Sequence, residues 1–381
     1  MDFDFTWLLW GLPLAFALGW VASRLDLRQW RIEGRQAPKA YFRGLNHLLN
    51  EQQDQAIDAF IEAVQGDPDT AELHFALGNL FRRRGDYDRA VRVHEHLISR
   101  ADLSQKDRDR AQYALALDFL KAGLLDRAEV ALQKLEGSDH ETEASMALLG
   151  IYERSRDWPR AQAIARKLDA ADPGSYATRL AHFLCEEAEL AHRKGDLTRT
   201  RALLEQAVSA SPQLARGWMS LSALDAQEGK ASSALDKLLV LERHSPQHLP
   251  LAAGRMVELA QQTNRVADVL PILQAADARG PSIDVTQALA SLQPGPEEAR
   301  QQFLGHLNRE ASLVMATAWL EAEPEADRQM PAPVTRALQQ ASAPQKRYRC
   351  AACGFEAQRH FWQCPGCQTW DSYPARRVEE L

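Results

Sequence analysis

The chain has 381 residues, more than one ordinary domain, so its length alone predicts two or three folding units. Hydrophobic residues make up 45% and charged residues 25%, a composition typical of globular proteins with packed cores. The net charge of −7 excludes broad non-specific nucleic-acid binding by the whole protein, because such binding needs many cationic contacts to phosphate.

The N-terminal segment is apolar, with 19 consecutive uncharged residues over 5–23. A helix of this length spans roughly 28 Å, close to the hydrocarbon thickness of a bilayer. A secretory signal peptide is the competing interpretation, but such peptides begin with basic residues, whereas here Asp2 and Asp4 come first. The arginines that follow are Arg24, Arg28, Arg31 and Arg35. We therefore predict one transmembrane helix at 5–23 in contact with membrane lipid, a basic juxtamembrane linker at 24–39, and a cytoplasmic remainder.

Between residues 40 and 280 the sequence repeats with a period near 34. Gly44, Ala56, Phe60, Ala63 and Pro68 recur 34 residues later as Gly78, Ala90, His94, Leu97 and Asp102. Small residues at these positions let two antiparallel helices approach closely, as in the tetratricopeptide repeat that this pattern resembles. We predict an all-α fold, a tetratricopeptide-repeat solenoid over 40–280 with six clear units and a degenerate seventh.

Turn residues mark the ends of the predicted helices. Gly85, Gly195 and Gly229 each stand where a glycine suits the left-handed conformation at a helix C-terminus. Several prolines interrupt the region 281–345, for which we predict a helical cap and linker. Stacked helix pairs present a surface for peptides or protein partners, and the repeat region therefore indicates a binding scaffold.

No sequence motif supports an enzyme: phosphate-binding loops, nucleophile elbows and His-Glu-x-x-His motifs are all missing from the chain. The histidines of the repeat region lack a metal-ligand spacing and are predicted to be surface or groove residues; they are His74, His94, His96, His182 and His192. Cys185 lies alone in a helical stretch, where we predict a small buried hydrophobe.

Two Cys-x-x-Cys pairs stand near the C-terminus, separated by ten residues: Cys350, Cys353, Cys364 and Cys367. Four thiolates on two tight turns are the arrangement that a tetrahedral metal site requires. We predict a metal-binding domain over 346–375, called the metal knuckle below, holding one structural metal ion, zinc in preference to iron. Nearby aromatic residues are predicted to surround the metal; they are Tyr348, Phe355, Phe361, Trp362, Trp370 and Tyr373.

Two further interpretations of the metal knuckle stay open. Iron in the same geometry would make it an electron-transfer or redox-sensing module. Basic residues would allow a nucleic-acid-binding ribbon, although we do not expect nucleic acid as a partner; they are Lys346, Arg347, Arg349, Arg359, Arg376 and Arg377.

The first cysteine pair resembles that of rubredoxin, but the spacer to the second pair is shorter and Gln368 replaces a glycine, which weighs against electron transfer. Over nearly its whole length, the order of anchor, tetratricopeptide array and Tyr-x-Cys-x-x-Cys-Gly-Phe with Trp-x-Cys-Pro-x-Cys resembles the lipopolysaccharide assembly protein B family of Gram-negative bacteria. This resemblance implies that the four cysteines of the metal knuckle are the metal ligands.

The resemblance also implies a function. Members of that family are inner-membrane, cytoplasm-facing regulators of lipopolysaccharide synthesis that promote degradation of the lipid A committed-step deacetylase by an FtsH-type membrane protease. A periplasm-facing inner-membrane sensor protein restrains them. An assembly scaffold that recruits lipopolysaccharide synthesis and export proteins without directing proteolysis is the alternative. Repeat scaffolds also associate through their ends, which leaves a homodimer open.

Overall fold

The computed structural model describes residues 15–21, 39–66, 70–323 and 331–381. The chain divides into two compact units, Met1–Ser155 and Arg156–Leu381. The boundary falls inside the predicted repeat region over 40–280, and the 34-residue period did not indicate it.

The predicted membrane anchor at 5–23 lies mostly outside the described residues, which include only 15–21 of it. Within the parts of the chain that are described, no helix combines the length and the apolar character needed to cross a bilayer.

The first unit is built from successive helices: α1 (residues 39–49), α2 (Gln53–Gly66), α3 (Ala71–Arg84), α4 (Tyr87–Ser99), α5 (Gln105–Lys121), α6 (Leu125–Gln133) and α7 (Glu141–Ser155). Each helix from α2 to α6 packs on the next one along the chain. The small residues Ala56, Ala63 and Ala90 are fully buried at these contacts, as the repeat pattern predicts.

Two glycines on equivalent repeat positions let neighbouring helices approach closely. A Cβ atom added at Gly44 would lie 2.7 Å from the ring of Phe60, and one added at Gly78 would lie 2.5 Å from Nε2 of His94. Both pairs are separated by 16 residues, and the second follows the first by 34. The structure therefore confirms the register of the first two repeats.

We expect Gly78→Ala to destabilise the first unit by about 1–3 kcal/mol, because the added methyl group overlaps a ring that cannot move aside. Nδ1 of His94 lies 2.5 Å from Oδ2 of Asp118, and both side chains are fully buried. Thermal unfolding of the purified chain measures the effect. Gly150→Ala is the matched control, since its Cβ would meet nothing within 4 Å in the interior of α7. An equal loss of stability in both variants would contradict the close-approach explanation.

The histidine prediction is correct in part. His96 and His192 are exposed, but His74, His94 and His182 are buried, the last two completely. A buried imidazole needs a hydrogen-bond partner, and aspartate supplies one to His94 and to His182. Cys185 is 3% exposed, as predicted, and burial raises its pKa to about 11.

The second unit continues the helix pairs with α8 (Trp158–Ala171), α9 (Ala177–Arg193), α10 (Leu197–Ala210), α11 (Ala215–Gln227), α12 (Ala231–His244), α13 (Leu249–Gln262) and α14 (Val266–Arg279). The predicted turn glycines Gly195 and Gly229 have φ angles of 80° and 79°, and Gly85 of the first unit has 85°. These positive angles confirm the predicted helix ends, because residues with a Cβ avoid this conformation.

After α14 the second unit contains four shorter helices: α15 (Ile283–Ser291), α16 (Pro296–Leu307), α17 (Leu313–Glu321) and α18 (Ala332–Ser342). Pro296 and Pro333 stand in the first turns of α16 and α18, where the missing backbone N–H costs nothing. The prolines therefore start helices here. A two-residue antiparallel pair, β1 (Tyr348–Arg349) and β2 (Glu356–Ala357), then opens the metal knuckle.

Candidate metal centre

The two Cys-x-x-Cys turns have matching backbone geometry. The N–H of Cys350 donates to the carbonyl of Phe355, and that of Cys364 donates to the carbonyl of Thr369. The residue after each pair has a positive φ, 77° at Gly354 and 60° at Gln368. Gln368 therefore adopts the left-handed conformation that glycine serves in the first turn, at a cost of about 1–2 kcal/mol.

The four thiols converge, with all four sulfur atoms within 4.8 Å of one another. Cys350 Sγ lies 3.8 Å from Cys367 Sγ, and Cys353 Sγ lies 3.7 Å from Cys364 Sγ. A tetrahedral ion with metal–sulfur bonds of ~2.3 Å needs sulfur–sulfur edges of about 3.8 Å. All four cysteines are free thiols. The donor set thus fits one tetrahedral metal ion and no disulfide.

The surroundings shift the pKa values of three of the four thiols, and the direction differs between them. Burial opposes ionisation of Cys350, but hydrogen bonding with the Ser372 hydroxyl and with backbone N–H groups of its turn lowers the pKa to about 6. Hydrogen bonding with the hydroxyl and the backbone of Thr369 also lowers the pKa of Cys367. A backbone N–H favours the thiolate of Cys353, but burial and the neighbouring thiols raise its pKa to about 12. A divalent cation would offset the repulsion between neighbouring thiolates, because the thiolate is the form that binds a metal.

The sulfur cluster is enclosed on one side. Cys350 and Cys364 are each 1% exposed and pack with Tyr348 and Tyr373, while Cys353 and Cys367 face the surface. Phe361 is partly buried against the same cluster, and the Tyr373 hydroxyl donates to the carbonyl of Phe355. These contacts agree with the predicted aromatic surround for the tyrosines and Phe361.

The prediction that all six aromatic residues surround the metal is wrong for the two tryptophans. Trp370 stacks on His182 of α9 with ring centroids 4.5 Å apart, and it meets Phe183 edge to face at 6.0 Å. Trp362 packs against the core of helices α11 to α15. Phe355 is 44% exposed and lies against Gly366 of the second cysteine turn. The tryptophans pack on the repeat helices because these helices offer a larger apolar surface than the metal knuckle.

An ionisable pair joins the metal knuckle to the repeats beside Trp370. Nε2 of His182 lies 2.9 Å from both carboxylate oxygens of Asp371. Burial lowers the pKa of His182, although the hydrogen bond and charge of Asp371 oppose this effect. The neutral imidazole therefore donates from Nε2 to the carboxylate. Neither residue belongs to a motif, so the sequence carried no signal for this contact.

The C-terminal tail also fastens the metal knuckle to helices of the second unit. The Arg377 guanidinium forms two hydrogen bonds with Asp284 of α15, at 2.6 and 2.9 Å. Glu379 accepts hydrogen bonds from Ser312, Leu313 and Val314 at the N-terminus of α17. Carboxylates stabilise helix N-termini because they satisfy free N–H groups and face the positive end of the dipole. Arg377 was predicted only as a member of a basic cluster, and no role was predicted for Glu379.

Comparison with known proteins adds two family matches. Residues 348–373 match the model of a rubredoxin metal binding domain, and residues 73–111 match a tetratricopeptide repeat. Together with the convergent thiols, the first match shows a four-cysteine metal site in a rubredoxin-like domain.

Full-length relatives decide the family. Lipopolysaccharide assembly protein B of Escherichia coli strain K12 is 30% identical over 97% of this chain and 98% of its own length. The chain belongs to the lipopolysaccharide assembly protein B family. The Haemophilus influenzae strain Rd member is 26% identical over 95% of this chain and 96% of its own.

A solved tetratricopeptide repeat protein from Parabacteroides merdae aligns over 67% of this chain and 98% of its own length, with 13% identity and a TM-score of 0.35. The lipopolysaccharide assembly protein B family is one of repeat scaffolds rather than enzymes, which confirms the non-enzymatic prediction.

Proposed function

We propose that this chain is an inner-membrane adaptor in the control of lipopolysaccharide synthesis, which presents the lipid A committed-step deacetylase to an FtsH-type membrane protease. The observation that carries the proposal is the relationship to lipopolysaccharide assembly protein B, which extends over almost the full length of both chains. An adaptor needs a binding scaffold and no catalytic residues, and a repeat scaffold meets this requirement.

The proposal assigns a role to each segment. Residues 5–23 would anchor the chain in the inner membrane as a single span, and 24–39 would form the basic linker on the cytoplasmic side. The repeats over 40–280 would hold the deacetylase, and 281–345 would cap them. Tethering beside a membrane protease raises the effective concentration of the client without strong contacts. A periplasm-facing sensor protein would act on the membrane segment.

The metal knuckle, 346–375, would act as a structural brace. We propose that its four cysteines bind one metal ion, and zinc is our first choice. Their sulfur spacing supports the assignment, because it agrees with a closed tetrahedral site that leaves no position for a substrate. The contacts of Trp370 and Asp371 with His182 support the brace role, since a folded metal knuckle keeps these residues against α9.

The test is the lifetime of the deacetylase. In the native bacterium, depletion of this protein should lengthen the half-life of the deacetylase after synthesis is stopped. A wild-type copy should restore the short half-life, and a Cys350→Ser copy should not, because the metal knuckle would not fold. Cys185→Ala is the matched control, since it removes a cysteine that lies outside the metal centre.

An unchanged half-life after depletion would refute the adaptor proposal. The leading function would then be a scaffold that gathers lipopolysaccharide synthesis and export proteins. Restoration by Cys350→Ser at wild-type abundance would instead show that proteolysis needs the repeats and not the metal knuckle.

A further inference from the structure

A cavity of about 370 Å³ lies where the segment that follows the metal knuckle meets the ends of α13, α14 and α15. The lining residues that can bind a ligand through polar side chains are Gln247, Arg279, Ser282 and Arg376. We call it the Arg279–Arg376 cavity. Two of its lining residues are arginines and none is acidic, so the cavity has a positive charge that its own lining does not neutralise.

The arginines are available for a ligand. Arg376 is exposed, and no hydrogen bond or ion pair holds it within the described residues. Nη2 of Arg279 lies 3.7 Å from Oε1 of Glu242, which is longer than a hydrogen bond. A pair at this distance, with the Arg279 side chain 54% exposed, contributes little to stability. Both guanidinium groups can therefore reorient toward an anion without breaking a strong contact.

Apart from Glu242, the acidic groups near the cavity bond to other donors. Asp284 accepts two hydrogen bonds from Arg377. Glu380 accepts from the backbone N–H groups of Ile283 and Arg377. Because these carboxylates satisfy other donors, they remain poor counterions for Arg376, although Glu380 is near enough to interact with it electrostatically.

A buried hydroxyl group without a partner lines the same cavity. Ser282 is 9% exposed, and its Oγ has no hydrogen-bond partner among the described residues. A serine that precedes a helix usually bonds a backbone N–H of the first turn, but Ser282 makes no such bond at α15. The N–H of Ile283, at the start of α15, donates to Glu380 instead. A buried hydroxyl without a partner is unfavourable unless a ligand or a water molecule forms a hydrogen bond with it.

We propose that the Arg279–Arg376 cavity binds a phosphate-bearing ligand. Two guanidinium groups match the charge of a phosphate dianion and donate several parallel hydrogen bonds to its oxygens. The Ser282 hydroxyl and the side-chain amide of Gln247 add neutral donors at the wall. A phosphate group bound here would link the segment after the metal knuckle to α14 and α15. This function is separate from the presentation of a client to a protease.

Titration calorimetry on the full-length chain in detergent at low salt tests the proposal, with inorganic phosphate and pyrophosphate as probes. We expect Arg279→Ala and Arg376→Ala each to weaken binding about tenfold, the loss expected for one charged hydrogen bond. Glu242→Gln should strengthen binding, because it removes a carboxylate that competes for Arg279. Arg255→Ala, an exposed arginine of α13 that pairs with Glu258, should leave binding unchanged.

A second arm distinguishes the source of the phosphate. Dihexanoyl phosphatidic acid offers the same group on a short lipid. Tighter binding of this lipid than of pyrophosphate, with loss in Arg376→Ala, would indicate a lipid headgroup, whereas the reverse order would indicate a soluble phosphate compound. Binding of no probe, equal affinity for acetate, or affinity that is unchanged in both arginine variants would overturn the proposal. Unfolding temperatures of the variants, expected to match wild type, verify that the fold is kept.

Discussion

Replacing Cys364 by serine should abolish metal binding and unfold the metal knuckle. Structural four-ligand zinc sites supply binding free energies on the order of 10 kcal/mol, and a segment this short cannot form a sufficient hydrophobic core without such a contribution. Cys364 is 1% exposed, so a serine there would also bury a weaker ligand among the remaining thiols. Metal content of the purified chain should fall from about one ion to none. Trypsin should cleave the unfolded segment 346–375 after its arginines.

Cys185→Ala is the control for that experiment and should retain the metal, because Cys185 packs in the core of α9 to α11. The absorption spectrum identifies the ion. A ferric four-thiolate site is visibly red, whereas zinc is colourless, so a red protein would favour the redox interpretation over the structural one. Full metal content in Cys364→Ser would show that the four cysteines do not act as one ligand set.

Trp370→Ala should release the metal knuckle from α8 and α9 while the metal stays bound. The indole contacts three buried rings, at 4.5 Å from His182, 6.0 Å from Phe183 and 6.4 Å from Trp158. Truncation of a packed tryptophan costs about 3–5 kcal/mol, and we expect the lower end because Trp370 is only partly buried. Amide hydrogen exchange in α9 should become faster, with metal content unchanged.

The same variant should raise the pKa of His182 toward its ordinary value, since burial is the main cause of its lowering. Nuclear magnetic resonance titration of the imidazole measures this shift. Phe355→Ala is the matched control, because Phe355 is an aromatic residue of the same domain that is 44% exposed, and it should change neither exchange nor the His182 pKa. Equal protection of α9 in wild type and Trp370→Ala would show that the tail contacts alone hold the metal knuckle.

The local patterns of this sequence were sufficient for much of the fold. The 34-residue period predicted the close approaches at Gly44 and Gly78, because helix pairing depends on small residues at fixed spacing. The positive φ angles at Gly195 and Gly229 follow from turns between neighbouring helices. The cysteine spacing also predicted the convergence of four thiols, because each Cys-x-x-Cys turn is formed by residues close together in the chain.

Other features depend on contacts between residues far apart in the chain. His182 and Asp371 are 189 residues apart, and no periodicity relates them. A histidine on a helix looks the same in sequence whether it meets water or an aspartate, and so His94 and His182 were predicted to be surface or groove residues although both are buried.

The sequence by itself therefore determined the helical repeats, the metal-binding chemistry and the family, because these depend on residue types at short and regular spacing. Only the tertiary structure decided that Trp362 and Trp370 pack against the repeat helices and that Glu379 caps α17. It alone also placed two arginines in the lining of one cavity that has no acidic residue in its lining. The physical reason is that burial and charge pairing are set by whichever surface each side chain meets after the chain has folded.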